Sequence, residues 1–187
     1  SLPIGTDEFS SLLERFSKDS RFVGIRMRDR PGGDDFFTDA VWRDLGLLAG
    51  KGLTLEVLIN NFTINEVAEV AKRLPDLKIM INHLGGLSIT NDPLDIKWKE
   101  SLKNASQYEN VYCKVSGIFQ RAGIKPTPKD RSFYSPVFEI VFDAFGEDRG
   151  RCFRPGGNVD TVDLGRGAGV GFVVVARGLV VTSKINK

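Results

Sequence analysis

Charged and polar side chains occur at alternate positions within four short, otherwise apolar runs of the sequence. Run by run they are Arg26 and Arg28; Thr54, Glu56 and Asn60; Lys78 and Asn82; and Tyr112, Lys114 and Ser116. A strand that is covered on both faces should be apolar throughout, so polar residues of one parity need an explanation. One explanation is a polar site for a small-molecule substrate. The other is that Arg26, Glu56 and Lys114 form buried ion pairs or lie at frayed strand ends.

The only histidine of the sequence, His83, lies where the apolar run 78–82 passes into a loop that continues Leu84-Gly85-Gly86. A lone histidine is more often structural, but the carboxyl end of a strand is where βα folds place reactive groups. We therefore take His83 as the candidate catalytic residue. A tetrahedral zinc site needs three or four ligands. One imidazole cannot build a histidine-rich centre, so no metal ligand is assigned.

Ser116 and Gly117 follow the fourth polar run, but no G-x-S-x-G elbow surrounds them. A serine hydrolase would also need a base within reach of the hydroxyl. Ser116 is therefore predicted to contact substrate and not to act as the nucleophile.

Each polar run is followed by a helical pattern, so the elements that position these residues form a βα repeat. We predict strands at 22–26, 53–59, 77–81 and 111–116. Helices are predicted at 7–17 and 38–49, after the capping-box spacing of Thr63 and Glu66, after Asp92-Pro93, and along the stripe that ends at Phe145. This order predicts an α/β fold with a parallel sheet, either doubly wound or a βα barrel. The absence of G-x-G-x-x-G after any predicted strand weakens a nucleotide-binding interpretation.

The composition changes at residue 150, which predicts two regions, 1–149 and 150–187. The second region holds eight of the 20 glycines and has six basic against two acidic residues. Its run 170–181 is β-prone and nearly uncharged, which predicts a strand pair or an aggregation-prone tail. A complete (β/α)₈ barrel takes about 250 residues. If the fold is a barrel, the first region is therefore an incomplete one of about four βα units, and an atypical glycine-rich tail follows it.

The charge and the lack of targeting signals limit the partners. A net charge of +2 does not predict binding to nucleic acid or to an anionic membrane. No apolar run approaches the roughly 20 residues that span a bilayer, and the first ten residues lack the pattern of a signal peptide. We therefore expect a cytoplasmic protein, with Cys113 and Cys152 as free thiols.

Several segments, in order, resemble the amidohydrolase-related family over residues 20–149. They are Phe22-Val23-Gly24-Ile25-Arg26, Gly52-Leu53-Thr54-Leu55-Glu56, Ile81-Asn82-His83-Leu84-Gly85, Val111-Tyr112-Cys113-Lys114-Val115-Ser116-Gly117 and Phe145-Gly146-Glu147-Asp148-Arg149. The resemblance implies a TIM barrel of parallel (β/α)₈ type. It also implies a hydrolase or decarboxylase, since the family includes sugar-acid lactonases and the pyrone-dicarboxylate lactonase.

This resemblance implies roles for particular residues in the hydrolysis of a carboxylated cyclic ester. His83 would orient or polarise the ester, and Arg26 and Lys114 would pair with a substrate carboxylate. Asn82 and Ser116 would complete the substrate-binding set, and the general base is not assigned. Decarboxylation by a member of the same superfamily is an alternative.

The departures from the family pattern concern the metal and the catalytic acid. Relatives carry an Asp/His-x-His pair on the first barrel strand and a Gly-Ser-Asp/Asn-Trp-Pro segment after Asp-Arg. A divalent metal is possible in the family, but this chain lacks that pair and continues from Asp148-Arg149 with Gly150-Arg151-Cys152. We therefore expect the chain as given to lack measurable activity. The second hypothesis is a non-catalytic truncated α/β fragment that self-associates through its open sheet edge.

Overall fold

Four strands form one parallel sheet in chain order. The structure, a computed structural model, describes residues 2–27, 36–59 and 62–146, together with four short strands between 153 and 182. The sheet contains β1 (Gly24–Met27), β2 (Thr54–Val57), β3 (Lys78–Ile81) and β4 (Val111–Cys113). In register, Arg26 lies opposite Glu56, Glu56 opposite Met80, and Met80 opposite Tyr112. The predicted parallel α/β arrangement is confirmed, and the carboxyl ends of all four strands meet at one edge.

Five helices accompany these strands. They are α1 (Glu8–Phe16), α2 (Asp39–Gly50), α3 (Ile64–Arg73), α4 (Ile96–Ser106) and α5 (Ser135–Phe145). The predicted capping box begins α3, where the Thr63 hydroxyl accepts from the Glu66 N–H at 3.1 Å and the Glu66 carboxylate accepts from the Thr63 N–H at 2.7 Å. These reciprocal bonds satisfy two donors of the first helical turn and explain why the sequence located this helix well.

The predicted start of α4 is wrong by three residues. Asp95, not Asp92, is the N-cap, and its carboxylate accepts from the Lys97 N–H at 2.8 Å. Asp92 is instead in a local turn, because its N–H donates to the Thr90 hydroxyl at 3.1 Å. Both aspartates have the side chain that caps a helix, so spacing alone did not distinguish them.

The core lies between one face of the sheet and the helices. The side chains with no exposed surface include Leu55, Val57, Ile79, Ile81, Val111 and Cys113 from the strands, and Leu45, Leu48, Val67, Val70, Leu102 and Val141 from the helices. Strand residues of the opposite parity differ in burial, since Arg26 and Glu56 are partly buried, whereas Thr54 and Met80 are 3% and 2% exposed. The parity found in the sequence therefore separates the helix-covered face from the face that carries Arg26 and Glu56.

Cys113 is a free thiol at the end of β4 and is completely buried. Burial raises the pKa of this thiol to about 12, because the thiolate would lose its hydration. Cys152 lies outside the described residues, so the predicted state of that thiol is not addressed by the structure.

The region after residue 149 is described only as four strands. β5 (Phe153–Arg154) pairs antiparallel with β6 (Gly157–Asn158), and β7 (Val173–Ala176) pairs antiparallel with β8 (Leu179–Thr182). The second pair corresponds to the strand-pair alternative for 170–181. The division into 1–149 and a tail stays a prediction, because most of 150–187 lies outside the described residues. None of the helices in the described ranges has the length and apolar character needed to cross a bilayer.

Candidate functional site at the carboxyl edge of the sheet

The parallel register brings every predicted site residue to one edge of the sheet. Arg26 and Glu56 lie near the ends of β1 and β2, Asn82 and His83 follow β3, and Lys114 and Ser116 follow β4. The backbone keeps Asn82 and Lys114 in line with the sheet, since the Asn82 N–H donates to the Val57 carbonyl at 3.0 Å and the Lys114 N–H to the Ile81 carbonyl at 2.7 Å. We call these six residues, with Arg121, the strand-end cluster.

Arg26, Glu56 and Asn82 form a hydrogen-bonded group within this cluster. The Arg26 Nε donates to Glu56 Oε2 at 2.7 Å, and its Nη2 contacts the same oxygen. The Asn82 Nδ2 lies 3.4 Å from that oxygen, and Asn82 is 1% exposed. Part of the polar parity is therefore an ion pair between neighbouring strands, but the pair is partly exposed and not buried as the second of the two sequence interpretations expected. The Arg26 guanidinium is oriented by Glu56 and does not stand alone.

His83 is paired with Ser116 and lies near three cations. Its Nδ1 is 2.8 Å from the Ser116 hydroxyl oxygen, which leaves Nε2 as the other ring nitrogen available for a substrate. Burial lowers the pKa of His83 below its usual value, and the positive charges of Lys114, Arg121 and Arg26 lower it further, while a backbone hydrogen bond at Ser116 opposes them. The imidazole is therefore held in its neutral form at neutral pH.

The turn that carries His83 has a left-handed backbone. His83 and Leu84 have φ values of 51° and 57°, followed by Gly85 at 62° and Gly86 at 77°. The left-handed conformation costs a non-glycine residue about 1–2 kcal/mol. Hydrogen bonds offset this cost, because the Leu84 N–H donates to the Lys114 carbonyl at 3.0 Å and the Leu84 carbonyl accepts from Trp98 Nε1 at 2.8 Å. The position of His83 thus depends on α4 as well as on the sheet.

Arg121 belongs to the cluster but was missed by the sequence interpretation. It ends a short 3₁₀ turn, Phe119–Arg121, and its Nη1 donates to the Gly86 carbonyl at 3.3 Å. The positive charge of Arg121 lowers the pKa of His83, and its effect ranks after that of Lys114. The alternation of side chains along a strand cannot predict the position of a residue in a loop, such as Arg121. The available signal was its position a few residues after a predicted site strand.

A groove lies beside the cluster, on the outer side of the His83 turn. It has a volume of about 500 Å³ and runs between α3 and the beginning of α4. Its lining includes Ile59, Thr63, Gly86, Ser88, Asp95 and Trp98. Trp98 therefore contacts both the groove and the backbone that carries His83.

The cluster does not have the donor set of a metal site. In residues 2–27, 36–59 and 62–146, no three side chains of His, Cys, Asp or Glu are grouped so that they could hold an ion. The His83 imidazole also lies among three positive charges, which oppose the approach of a cation. The residues present in the cluster therefore do not fit the divalent metal that the family resemblance allows.

Solved structures share this arrangement of strands and helices. The chain superposes on an amidohydrolase from Burkholderia multivorans with bound HEPES at a TM-score of 0.61 and 15% identity, covering 77% of this chain and 53% of the other. It also superposes on a probable 2-pyrone-4,6-dicarboxylic acid hydrolase from Acinetobacter baumannii with citric acid bound, at a TM-score of 0.50 and 18% identity, covering 79% and 52%. The fold is therefore of the parallel TIM-barrel type, as predicted, and the described sheet is part of such a barrel.

The sequence comparison leads from this class of fold to a family. Residues 5–149 match the family model described as Amidohydrolase, so the chain belongs to the amidohydrolase family. It is 27% identical to the L-fucono-1,5-lactonase of Burkholderia ambifaria over 139 residues, which cover 73% of this chain and 47% of the relative. The chain spans between a third and about half the length of the curated relatives it matches. The predicted family resemblance is confirmed.

Proposed function

We propose that the strand-end cluster binds a carboxylated cyclic ester for hydrolysis of the lactonase type. The observation that carries the proposal is the group of three cations around a neutral imidazole, with Glu56 as the carboxylate paired to one of them. An anionic substrate would gain from this positive field, while the imidazole stays uncharged and available for hydrogen bonding. The likeness to a lactonase relative supports the same reaction class.

The chemistry is addition of water to the ester carbonyl. The carbon–oxygen bond of the ring then breaks, and the ring oxygen takes a proton and leaves as a hydroxyl. Lys114 and Arg121 would bind the carboxylate or stabilise the developing oxyanion. His83, with Nδ1 on the Ser116 hydroxyl, would orient or polarise the carbonyl through Nε2. The group that accepts the proton of water is left unassigned.

The single histidine makes the binding step directly testable. In ¹⁵N-labelled protein the imidazole resonances belong to His83. We expect a carboxylated lactone to shift these resonances in a saturable manner. The uncharged lactone of the same ring size should shift them far more weakly. Equal effects of the two lactones, or no effect of either, would count against the proposal.

Replacing one of the cations tests the role of charge. Lys114→Gln should weaken binding of the carboxylated lactone about tenfold, as expected for one charge-assisted hydrogen bond. Lys103→Gln, at an exposed position on α4, is the matched control and should bind like the unmodified chain. If both variants bind equally well, Lys114 does not contact the carboxylate.

Self-association is a second candidate, favoured by the order of the sheet. β1 and β4 are its outer strands, and outer strands present backbone groups that can pair with another chain. Light scattering on the purified chain distinguishes the two candidates. A clean monomer at all concentrations would argue against association through the sheet edge.

A further inference from the structure

The backbone that carries His83 is held from the groove side by a buried tryptophan. Trp98 is 7% exposed, and its indole Nε1 donates to the carbonyl of Leu84, the residue directly after His83, at 2.8 Å. The indole N–H can only donate, so the Leu84 carbonyl is the acceptor in this hydrogen bond. Within the described part of the chain, the indole N–H of Trp98 bonds to the turn and not to His83, Lys114 or Ser116, so Trp98 acts on them through the turn.

The indole makes the shorter of two hydrogen bonds to the Leu84 carbonyl, at 2.8 Å against 3.4 Å from the Leu87 N–H. Residues in a left-handed conformation persist only where the surrounding structure holds them. Leu84 is held on both sides, by the Lys114 carbonyl at its N–H and chiefly by Trp98 at its carbonyl. If the indole bond were lost, the peptide after Leu84 could rotate toward ordinary backbone geometry. His83 would then move, because the peptide bond on the other side of Leu84 joins it to His83.

We propose that Trp98 is a positioning residue, which sets the orientation of the His83 imidazole by fixing the Leu84 carbonyl. The inference rests on the proposed function, in which His83 meets the ester, but it concerns how the ring is held. Ser116 fixes Nδ1 from the side of the sheet, and Trp98 fixes the backbone from the side of α4. A structural change in the groove would therefore alter the orientation of His83 without contacting the substrate.

The position of the ring can be followed through its titration. The charged groups that act on the imidazole are Lys114 after β4, Arg121 in the following 3₁₀ turn and Arg26 on β1, and Ser116 supplies the hydrogen bond. A ring that swings out would lose burial and move away from these charges. The pKa of His83 would then rise toward its ordinary value.

The two tryptophans of the chain provide a matched pair of variants. Trp98→Phe keeps a large ring and removes the donor, and it should raise the pKa of His83 measured by ¹⁵N NMR. Trp42→Phe is the control, since Trp42 stacks on Phe37 at 5.0 Å and lies under Arg73 at 4.0 Å. It should leave the titration unchanged. A folded Trp98→Phe that titrates like the unmodified chain would overturn the proposal.

A measurement on the unmodified chain covers the case in which Trp98→Phe does not fold. The Trp98 indole proton should shift as His83 titrates, while that of Trp42 should not. A Trp98 signal that stays constant through the titration would overturn the proposal. If instead His83 responds to Trp98→Phe but no lactone binds, the positioning role stands and the proposed function fails.

Discussion

At the scale of single residues, the charge state of His83 follows from its surroundings. Burial and three nearby cations favour the neutral imidazole, so protonation is harder in the folded chain than in the unfolded one. Because the unfolded state binds more protons between the two pKa values, this residue makes stability depend on pH.

We expect the free energy of unfolding to fall as the pH is lowered from the ordinary imidazole pKa of 6.5 toward the lower pKa of the folded state. Above 6.5 this contribution is fully present. His83→Gln removes it, so urea denaturation at a series of pH values should show the unmodified chain losing stability relative to the variant on acidification. The carboxylates titrate in both proteins and cancel. Parallel curves would show that His83 is not held neutral by the fold.

The ion pair between Arg26 and Glu56 gives a second prediction. Glu56→Gln should lower the free energy of unfolding by about 1–2 kcal/mol, because it leaves a partly buried guanidinium without its charge partner. Glu14→Gln is the control, since Glu14 meets Lys51 at 2.7 Å but is 64% exposed. Denaturant unfolding should show little change for the control. Similar losses in the two variants would mean that burial adds nothing to the pair between the strands.

The sequence predicted the positions of the strand-end residues better than it predicted their contacts. Alternation within strands placed Arg26, Glu56, Asn82 and Lys114 on one face, because side-chain direction has a period of two residues. It could not find Arg121 or Trp98, which reach the cluster from a loop and from a helix. It also could not predict the left-handed backbone at His83 and Leu84, since this conformation is uncommon for every residue type except glycine.

At the scale of elements, α3 is capped at both ends, but only one cap was visible in the sequence. The capping box has a fixed spacing, whereas the other end is closed by Asn110, which comes much later in the chain. The Asn110 Nδ2 lies 3.3 Å from the Ala71 carbonyl, and 2.9 Å from those of Leu74 and Leu77. A contact of this range has no local sequence signal. Only the start of α4 was predicted wrongly, because the local hydrogen bonds of Asp92 and Asp95 decide which of the two caps the helix.

Asn110→Asp replaces the donating amide by a carboxylate of the same shape that faces three carbonyl oxygens. We expect a loss of about 1–3 kcal/mol in the free energy of unfolding, because buried acceptors lose their donor and meet a negative charge. The same change at the exposed Asn91 is the control and should have little effect. Thermal or urea unfolding measures both, and equal stability of the two variants would contradict a capping role for Asn110.

For the chain as a whole, substrate binding and catalytic turnover require different sets of residues. We expect the 187-residue chain to show no measurable hydrolysis of carboxylated lactones, with or without added zinc or manganese. The chain has one imidazole, and loss of members of a catalytic set removes nearly all of the rate advantage. A hydrolysis assay over a panel of such lactones provides the measurement. Turnover that His83→Ala abolishes would show that the residues present suffice.

The order of the segments predicted the barrel type and the family, because each segment combines a strand with the polar residues at its end. Composition predicted a change at residue 150, and the β-prone run 170–181 predicted a strand pair or an aggregation-prone tail. The strand pair of β7 and β8 agrees with the β-prone run found there. The bounds of the first region, 1–149, stay a prediction.

The buried thiol of Cys113 allows the rate at which the core around β4 opens to be measured. Only the thiolate reacts quickly with an alkylating reagent, and burial disfavours the thiolate and blocks the reagent. Modification must then wait until the core between β4 and the helices opens, so its time course reports the frequency of that event under native conditions. Peptide mass mapping distinguishes this thiol from Cys152. A ligand that stabilises the strand ends should slow the modification without touching the sulfur.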